Sequence, residues 1–448
     1  MVVAMTPGDV RSSKSRASRS RSELTVLGLC FAVIMFDGYD LIVYGATVPA
    51  LIKYEPWGLT PTEAGVIGSY ALVGMLIGAL VAGVATDAVG RRKVLLISVS
   101  WFSLAMAACA MAPSAELFGL FRLLGGLGLG GVMPTAIALT AEYSAAHRRS
   151  LNNALMFAGY PVGGILAATL ALALMPEFGF RIMYWIGAVP LVVVVPLLWR
   201  HLPESLSYLV AKGRGEEAAR LAAGLDTPLP EAQPSVTGQV AKSPVTVLLG
   251  RRHIGPAMLF AITSFFGLLL VYGLNTWLPQ IMKSAGYPLS SSLLFLVMMN
   301  VGAAVGSILV APVGDRLGMK PVTAVTFVAA ALSIYLLSSP TASWVMYALV
   351  AVAGFGTIGT QIMVNAYVAM HFPPEVRATA LGWTLGIGRL GAVVGPTFGG
   401  FLLASDLAME WNFYAFAIPA AVGALMVLLL PKGVGAASPS PDAVAVRA

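Results

Sequence analysis

Asp37 and Asp40 stand three residues apart in the middle of an apolar run, 24–51, long enough to cross a bilayer. An ionised carboxylate at that depth costs roughly 2.5–3.5 kcal/mol on insertion scales. A chain that keeps two of them is expected to use them, and the competing role is a fixed pair with a basic residue that holds helices together. Two arginines, Arg122 and Arg389, are the only basic residues in the middle of other apolar runs. At 1.5 Å per residue, Asp37 and Asp40 lie about 20–25 Å from a helix start near Leu24. Arg122 lies about 10 Å, and Arg389 about 20 Å, from the nearer start of its own run. All four charges therefore share a central band of the membrane. Asp37, Asp40 and Tyr44 are spaced i+3 and i+4, which puts them on one stripe of a helix.

That set can exchange a proton and hold an organic anion. Burial disfavours a charged carboxylate and a neighbouring arginine favours it, so either Asp37 or Asp40 can gain a proton when its arginine is engaged elsewhere. Arg122 or Arg389 can grip a carboxylate through both oxygens, because the guanidinium is a planar fork. A structural role competes for each: a permanent ion pair with the first helix for Arg122, an interhelix hydrogen-bond hub for Arg389. A flat apolar slot for a ring would draw on Tyr44, Tyr272, Trp277, Trp383 and Phe157, with Asn275 as a polar selector. Trp57 and Trp411 fit an interfacial aromatic belt instead.

The elements that position these residues are membrane helices. The 448 residues are 58% hydrophobic and 10% charged, with a mean hydropathy of +0.84, against about 25% charged in a soluble domain. Twelve apolar segments follow one another: 25–51, 63–86, 94–112, 116–140, 150–174, 182–200, 255–282, 290–314, 321–338, 342–370, 375–404 and 411–431. In lipid each must satisfy its own backbone, so each is a helix. The ten-residue alternation of a membrane barrel is missing. The predicted fold is an all-α integral membrane protein. Its expected organisation is a disordered basic tail over 1–23, a six-helix bundle over 24–200, a central loop over 201–253, a second six-helix bundle over 254–431 and a disordered tail over 432–448. Within the central loop, Glu204 to Leu225 reads as one short amphipathic helix on the membrane surface.

Basic residues cluster in the tail from Arg11 to Arg21, in the loops holding Arg91, Arg92 and Lys93, Arg148 and Arg149, Arg316 and Lys320, and in the centre. This asymmetry predicts that both termini and the central loop are cytoplasmic. It also accounts for the net charge of +7, so no nucleic-acid partner is needed; the lipid bilayer is the expected surroundings. No nucleophile–base set and no Cys/His metal spacing is apparent, and an enzyme, a metal or a cofactor is not expected. Gly126, Gly128 and Gly131 mimic a dinucleotide loop, but no strand precedes them. Cys30 and Cys109 both fall in helices and read as packing residues.

The two halves repeat at an offset of 228 residues. Asp87 and Gly90 match Asp315 and Gly318, Tyr44 matches Tyr272, Gly126 matches Gly354, Arg149 matches Arg377, and Gly163 matches Gly391. Parallel six-helix repeats imply a pseudo-twofold axis along the membrane normal, a substrate site near the midplane between the halves, and alternating access by rocking.

The residues also carry a resemblance. Gly83 to Lys93, with Asp87, Gly90 and Arg91, is similar to the signature between the second and third helices of the major facilitator superfamily. Asp315, Arg316 and Gly318 resemble its weaker second copy. Arg122 followed by Gly126, Gly128 and Gly130 resembles the fourth-helix signature, and Pro203-Glu204-Ser205 the start of the central loop. More narrowly, Asp37-Gly38-Tyr39-Asp40 resembles the first-helix motif of the aromatic acid:proton symporters. Gly388-Arg389 with Gly395-Pro396 resembles their eleventh helix, and Glu142-Tyr143 with Arg149 the end of their fourth. The resemblance implies proton-driven import of a small aromatic acid anion of benzoate, hydroxybenzoate, gentisate or phenylpropionate type, in the cytoplasmic membrane, by a monomer. Gly83, Asp87, Gly90, Arg91, Glu142, Arg149, Asp315, Arg316, Gly318 and Arg377 are then expected to form a conformational latch, with Asp87 capping a neighbouring helix and Arg91 paired with an acid. Gly159-Tyr160-Pro161 with Gly163 and Gly164 partly matches an antiporter signature, and the run from Gly391 to Gly400, with Pro396, is its cleaner form. Drug:proton antiport, import of a sugar or a non-aromatic anion, and a membrane sensor of aromatic acids are the alternatives.

Overall fold

A computed structural model describes residues 7–145, 148–225, 244–339 and 341–431. The described residues are helices joined by short turns, and twelve helical spans are long and apolar enough to cross a membrane: Ser22–Lys53, Pro61–Val89, Arg91–Met111, Ala115–Tyr143, Leu151–Phe178, Arg181–His201, Ile254–Ser284, Leu289–Val310, Met319–Leu336, Ser343–His371, Val376–Leu403 and Trp411–Leu429. They are called here the first to the twelfth span, and each coincides with one expected segment. The chain is a multi-pass membrane protein. It divides into two compact units, Met1–Thr237 and Gly238–Ala448, with six spans each.

Local sequence explains where the helices start and stop. The second span opens on Pro61 behind a capping box, in which Thr60 and Glu63 satisfy each other's backbone N–H groups. The fourth opens on Ser114, whose hydroxyl accepts from Leu117 N at 3.4 Å. Gly90, at φ 98°, ends the second span and begins the third; Gly318, at φ 94°, does the same between the eighth and ninth. Only glycine adopts that backbone without strain.

The 228-residue repeat is visible in how each unit is packed. The second and fourth spans touch backbone to backbone: a Cβ on Gly74 would overlap the carbonyl oxygen of Leu123, and one on Gly126 that of Ala71. In the other unit, Gly302 meets Ala351 and Gly354 meets Met299 in the same manner. All four glycines and all four partners are related by the same offset. Close approach through small residues is how helices gain contact in lipid, where hydrophobic attraction between them is lacking.

Three expectations need correction or limits. The first helix runs from Pro7 to Lys53, so within the tail expected over 1–23 the described basic residues from Pro7 to Glu23 continue the helix. No Pro or Gly interrupts the chain between Asp9 and Gly28, and extending an existing helix avoids the nucleation cost. Residues 1–6 and the expected tail 432–448 lie outside the described residues. The single amphipathic helix expected from Glu204 to Leu225 is two helices, Leu206–Ala211 and Gly215–Leu225. Gly213, at φ 72°, breaks it.

Candidate functional site

Asp37 and Asp40 are both buried in the first span, at 0% and 3% exposure. Their roles divide. Asp40 takes the arginine: Arg122 Nη1 donates to its Oδ1 at 2.7 Å, and Nη2 to its backbone oxygen at 3.3 Å. Both side chains are at most 4% exposed. The guanidinium carbon lies 5.5 Å from the centre of the Tyr44 ring, one helical turn along from Asp40. Tyr44 is itself locked, its hydroxyl donating to Ala64 O and its ring stacked on Phe118 at 6.4 Å. Tyr184 closes the far side, its hydroxyl 2.8 Å from Thr47 Oγ1 and its ring edge-on to Phe118 at 5.0 Å. Within the unit, Tyr44 is thus a core residue at 1% exposure and not an open wall of a slot. The i+4 spacing that places it beside Asp40 also turns it into the bundle.

The first unit's polar end is a second constellation. Arg91 Nη1 donates to Glu142 Oε2 at 2.8 Å. Glu142 also accepts from Ser205 Oγ at 2.7 Å and from Ser207 N at 2.6 Å. The expected partnership of Arg91 with an acid is therefore present, and it ties the second-to-third turn to the chain after the sixth span. The helix cap differs from expectation. Asp87 is exposed and makes no hydrogen bond to a described residue, while Glu204 Oε1 accepts from Arg92 N at 2.9 Å in the first turn of the third span. The reason is the Gly90 turn, which aims the third span's free N–H groups at the chain leaving the sixth span. A Cβ on Gly90 would come within 2.5 Å of Glu204 Oε2. Gly83 and Arg149 are exposed, and a Cβ on Gly83 would meet open space.

The second unit does not copy these networks. Asp315, Arg316, Gly318 and Arg377 are exposed, and none of the three charged side chains has an ion pair among the described residues. Arg389 is half-buried and has neither ion pair nor hydrogen bond to a described residue, so it is no hydrogen-bond hub. Trp277 is fully buried; its indole N–H donates to Pro396 O at 2.6 Å and its ring lies over Gly399. It anchors the seventh span to the eleventh, because only glycines on the eleventh leave room for an indole. Trp383, Phe157 and Tyr272 are half-buried. The Trp383 indole nitrogen is covered without an acceptor among the described residues. Asn275 is buried and accepts from Asn300 Nδ2 at 3.3 Å.

The profile of the Major Facilitator Superfamily matches residues 30–383 and 296–446. The chain belongs to the major facilitator superfamily. It is a transporter, not an enzyme. It is similar to the benzoate transport protein of Acinetobacter baylyi, at 41% identity over 90% of this chain and 89% of that one. It is also similar to the gentisate transporter of Corynebacterium glutamicum, at 36% identity over 95% of this chain and 94% of that one. The crystal structure of a D-xylose–proton symporter superposes with a TM-score of 0.73, covering 92% of this chain and 98% of that one at 19% identity, a likeness of fold alone.

Sequence reading of this superfamily member missed its neutral polar network. Gln361 Nε2 donates to Ser264 Oγ at 3.0 Å and approaches Asn365 Oδ1 at 3.4 Å. Ser264 in turn packs on Gly388, beside Arg389. The Gln361 amide oxygen and the Thr384 hydroxyl are covered with no partner among the described residues. Uncharged amides and hydroxyls barely disturb the hydropathy of a span. The usable signal was three of them, Gln361, Asn365 and Ser264, in otherwise apolar runs near an arginine-bearing helix.

Proposed function

We propose that this transporter imports a small aromatic carboxylate, of benzoate, hydroxybenzoate, gentisate or phenylpropionate type, together with protons by alternating access. The buried Asp40–Arg122 pair carries the reading. Protonation of Asp40 neutralises it and releases Arg122; loss of the proton re-forms the pair. A buried pair that can be made and broken by one proton couples proton movement to a change of contacts in the bundle. Asp37, one turn away, is the second carboxylate of the relay. Arg389, which has no counter-ion among the described residues, grips the substrate carboxylate through both oxygens. Trp383 and Tyr272, half-buried in the same unit, offer ring faces, with Gln361 and Asn275 as polar selectors. The relatives named for benzoate and gentisate support the substrate class. The Arg91–Glu142–Ser205 network, with Gly90 and Glu204, serves as the latch of one access state, and Asp87, Arg149, Asp315, Arg316 and Arg377 gain partners in another. We place both termini inside, on the distribution of its basic residues, and, by resemblance to its superfamily, the protein as a monomer in the cytoplasmic membrane.

The test is uptake of labelled benzoate, 4-hydroxybenzoate, gentisate and 3-phenylpropionate into proteoliposomes with and without an inward proton gradient. Accumulation of one acid that a protonophore abolishes supports the reading. No accumulation of any acid in sealed vesicles overturns it.

A further inference from the structure

A cavity of about 930 Å³ opens on the polar end of the first unit, between the start of the first span, the end of the sixth and the helix Gly215–Leu225. Arg92, Arg200, His201 and Arg220 line it, with Glu204 and Glu217. Both carboxylates are already engaged. Glu204 accepts backbone N–H groups from Arg92 and Ser205, each at 2.9 Å, and Glu217 is paired with Arg214 at 2.6 Å. The arginines are not neutralised. Arg200 has no hydrogen bond or ion pair among the described residues, and Arg220 reaches only the backbone oxygen of Glu216 at 3.4 Å. Arg92 donates from Nη2 to Trp199 O, but its Nε is covered and finds no acceptor among the described residues. The cavity therefore carries surplus positive charge and an unmet, covered donor.

Two residues that flank its lining in the chain are apolar and exposed: Trp199, next to Arg200, at 71%, and Leu24, next to Thr25, at 62%. A tryptophan at the end of a membrane span marks headgroup depth. A ligand that satisfies both has an anionic phosphate for the arginines and hydrocarbon for the exposed apolar residues beside them.

We infer that this cavity binds the phosphodiester headgroup of an anionic phospholipid from the leaflet on the central-segment side, with Arg92, Arg200 and Arg220 around the phosphate and the acyl chains beside the exposed Trp199 and Leu24. The headgroup pins the helix Gly215–Leu225 against the first and sixth spans. Basic pockets of this kind at membrane-helix ends select anionic over zwitterionic lipid.

The experiment is native mass spectrometry of the purified full-length protein titrated with phosphatidylglycerol or phosphatidylcholine, beside Arg200→Gln/Arg220→Gln and the single Arg220→Gln variant. Both residues are exposed and have no ion pair among the described residues, so the variants are expected to fold, and their gel-filtration profiles check this. The expected result is at least about five-fold more phosphatidylglycerol than phosphatidylcholine retained, with that preference lost in the double variant and reduced in the single one. Equal retention of the two lipids, or an unchanged preference in the variants, overturns the inference. Displacement of phosphatidylglycerol by millimolar inorganic phosphate also overturns it, because the cavity would then serve a soluble phosphate. The readout is independent of which solute is transported.

Discussion

Arg122 sits between two residues of the first span, donating to Asp40 at 2.7 Å on one side and lying 5.5 Å from the Tyr44 ring centre on the other. The arginine is held by charge and by an aromatic face at once. Loss of the Asp40 charge removes the stronger hold and leaves the cation over Tyr44.

Asp40→Asn is expected to destabilise the protein by about 3–5 kcal/mol, the cost of leaving a buried charge unpaired. It is also expected to abolish gradient-driven accumulation while leaving substrate exchange. Asp40→Asn/Arg122→Gln should regain most of the thermal stability and none of the accumulation. Denaturation in detergent and proteoliposome uptake, measured on the same preparations, separate the two effects. Full accumulation by the single variant would remove Asp40 from coupling.

Arg389 behaves oppositely if it serves the substrate. It has no ion pair among the described residues to lose, so Arg389→Gln should leave the melting temperature within a degree or two, while apparent affinity for the aromatic acid falls about ten-fold or more, the worth of a charge-assisted hydrogen bond. Arg389→Lys should recover little, because an ammonium cannot engage both oxygens side by side. Concentration-dependent uptake reads both.

The two glycine turns give a paired stability test. Gly318→Ala meets its nearest neighbour, Pro321, at 3.6 Å and pays only for its left-handed backbone, about 1–2 kcal/mol. Gly90→Ala has the same backbone cost and also pushes on Glu204, which holds the first turn of the third span. It should lose more stability than Gly318→Ala. Equal losses would mean that Glu204 moves aside without consequence.

Close helix contact predicts a third contrast. Gly74→Ala and Gly302→Ala place a methyl on a backbone carbonyl and should sharply reduce folded protein. Gly83→Ala, in open space on the same second span, should be neutral for stability. Yield of monodisperse protein after gel filtration distinguishes them.

Trp277→Phe tests packing against recognition. The change removes the N–H that Pro396 O accepts at 2.6 Å. Stability should fall by about 1–3 kcal/mol from the orphaned buried carbonyl and lost contact, with apparent substrate affinity changed less than two-fold. A large affinity loss with unchanged melting would return Trp277 to the substrate slot.

Much of this molecule was written in its sequence. Twelve spans follow from composition because lipid leaves an apolar run no alternative to a helix. The depth of Asp37, Asp40, Arg122 and Arg389 follows from counting residues along those helices. The turns at Gly90 and Gly318 and the repeat that relates them follow from glycine's backbone freedom and one numerical offset. What depth and spacing do not contain is facing. Only the tertiary structure decided that Asp40 and not Asp37 takes Arg122, that Tyr44 is sealed against Phe118 while Tyr272 is half-buried, and that Glu204 and not Asp87 caps the third span. It also decided that the Trp277 indole donates to Pro396 O and that Gln361 joins Ser264. The physical reason is common to all of these. Rotation of each helix about its axis is set by the small residues through which neighbouring backbones touch, as Gly74 and Gly126 set it for the second and fourth spans, and that choice is made between helices, where no local pattern reaches.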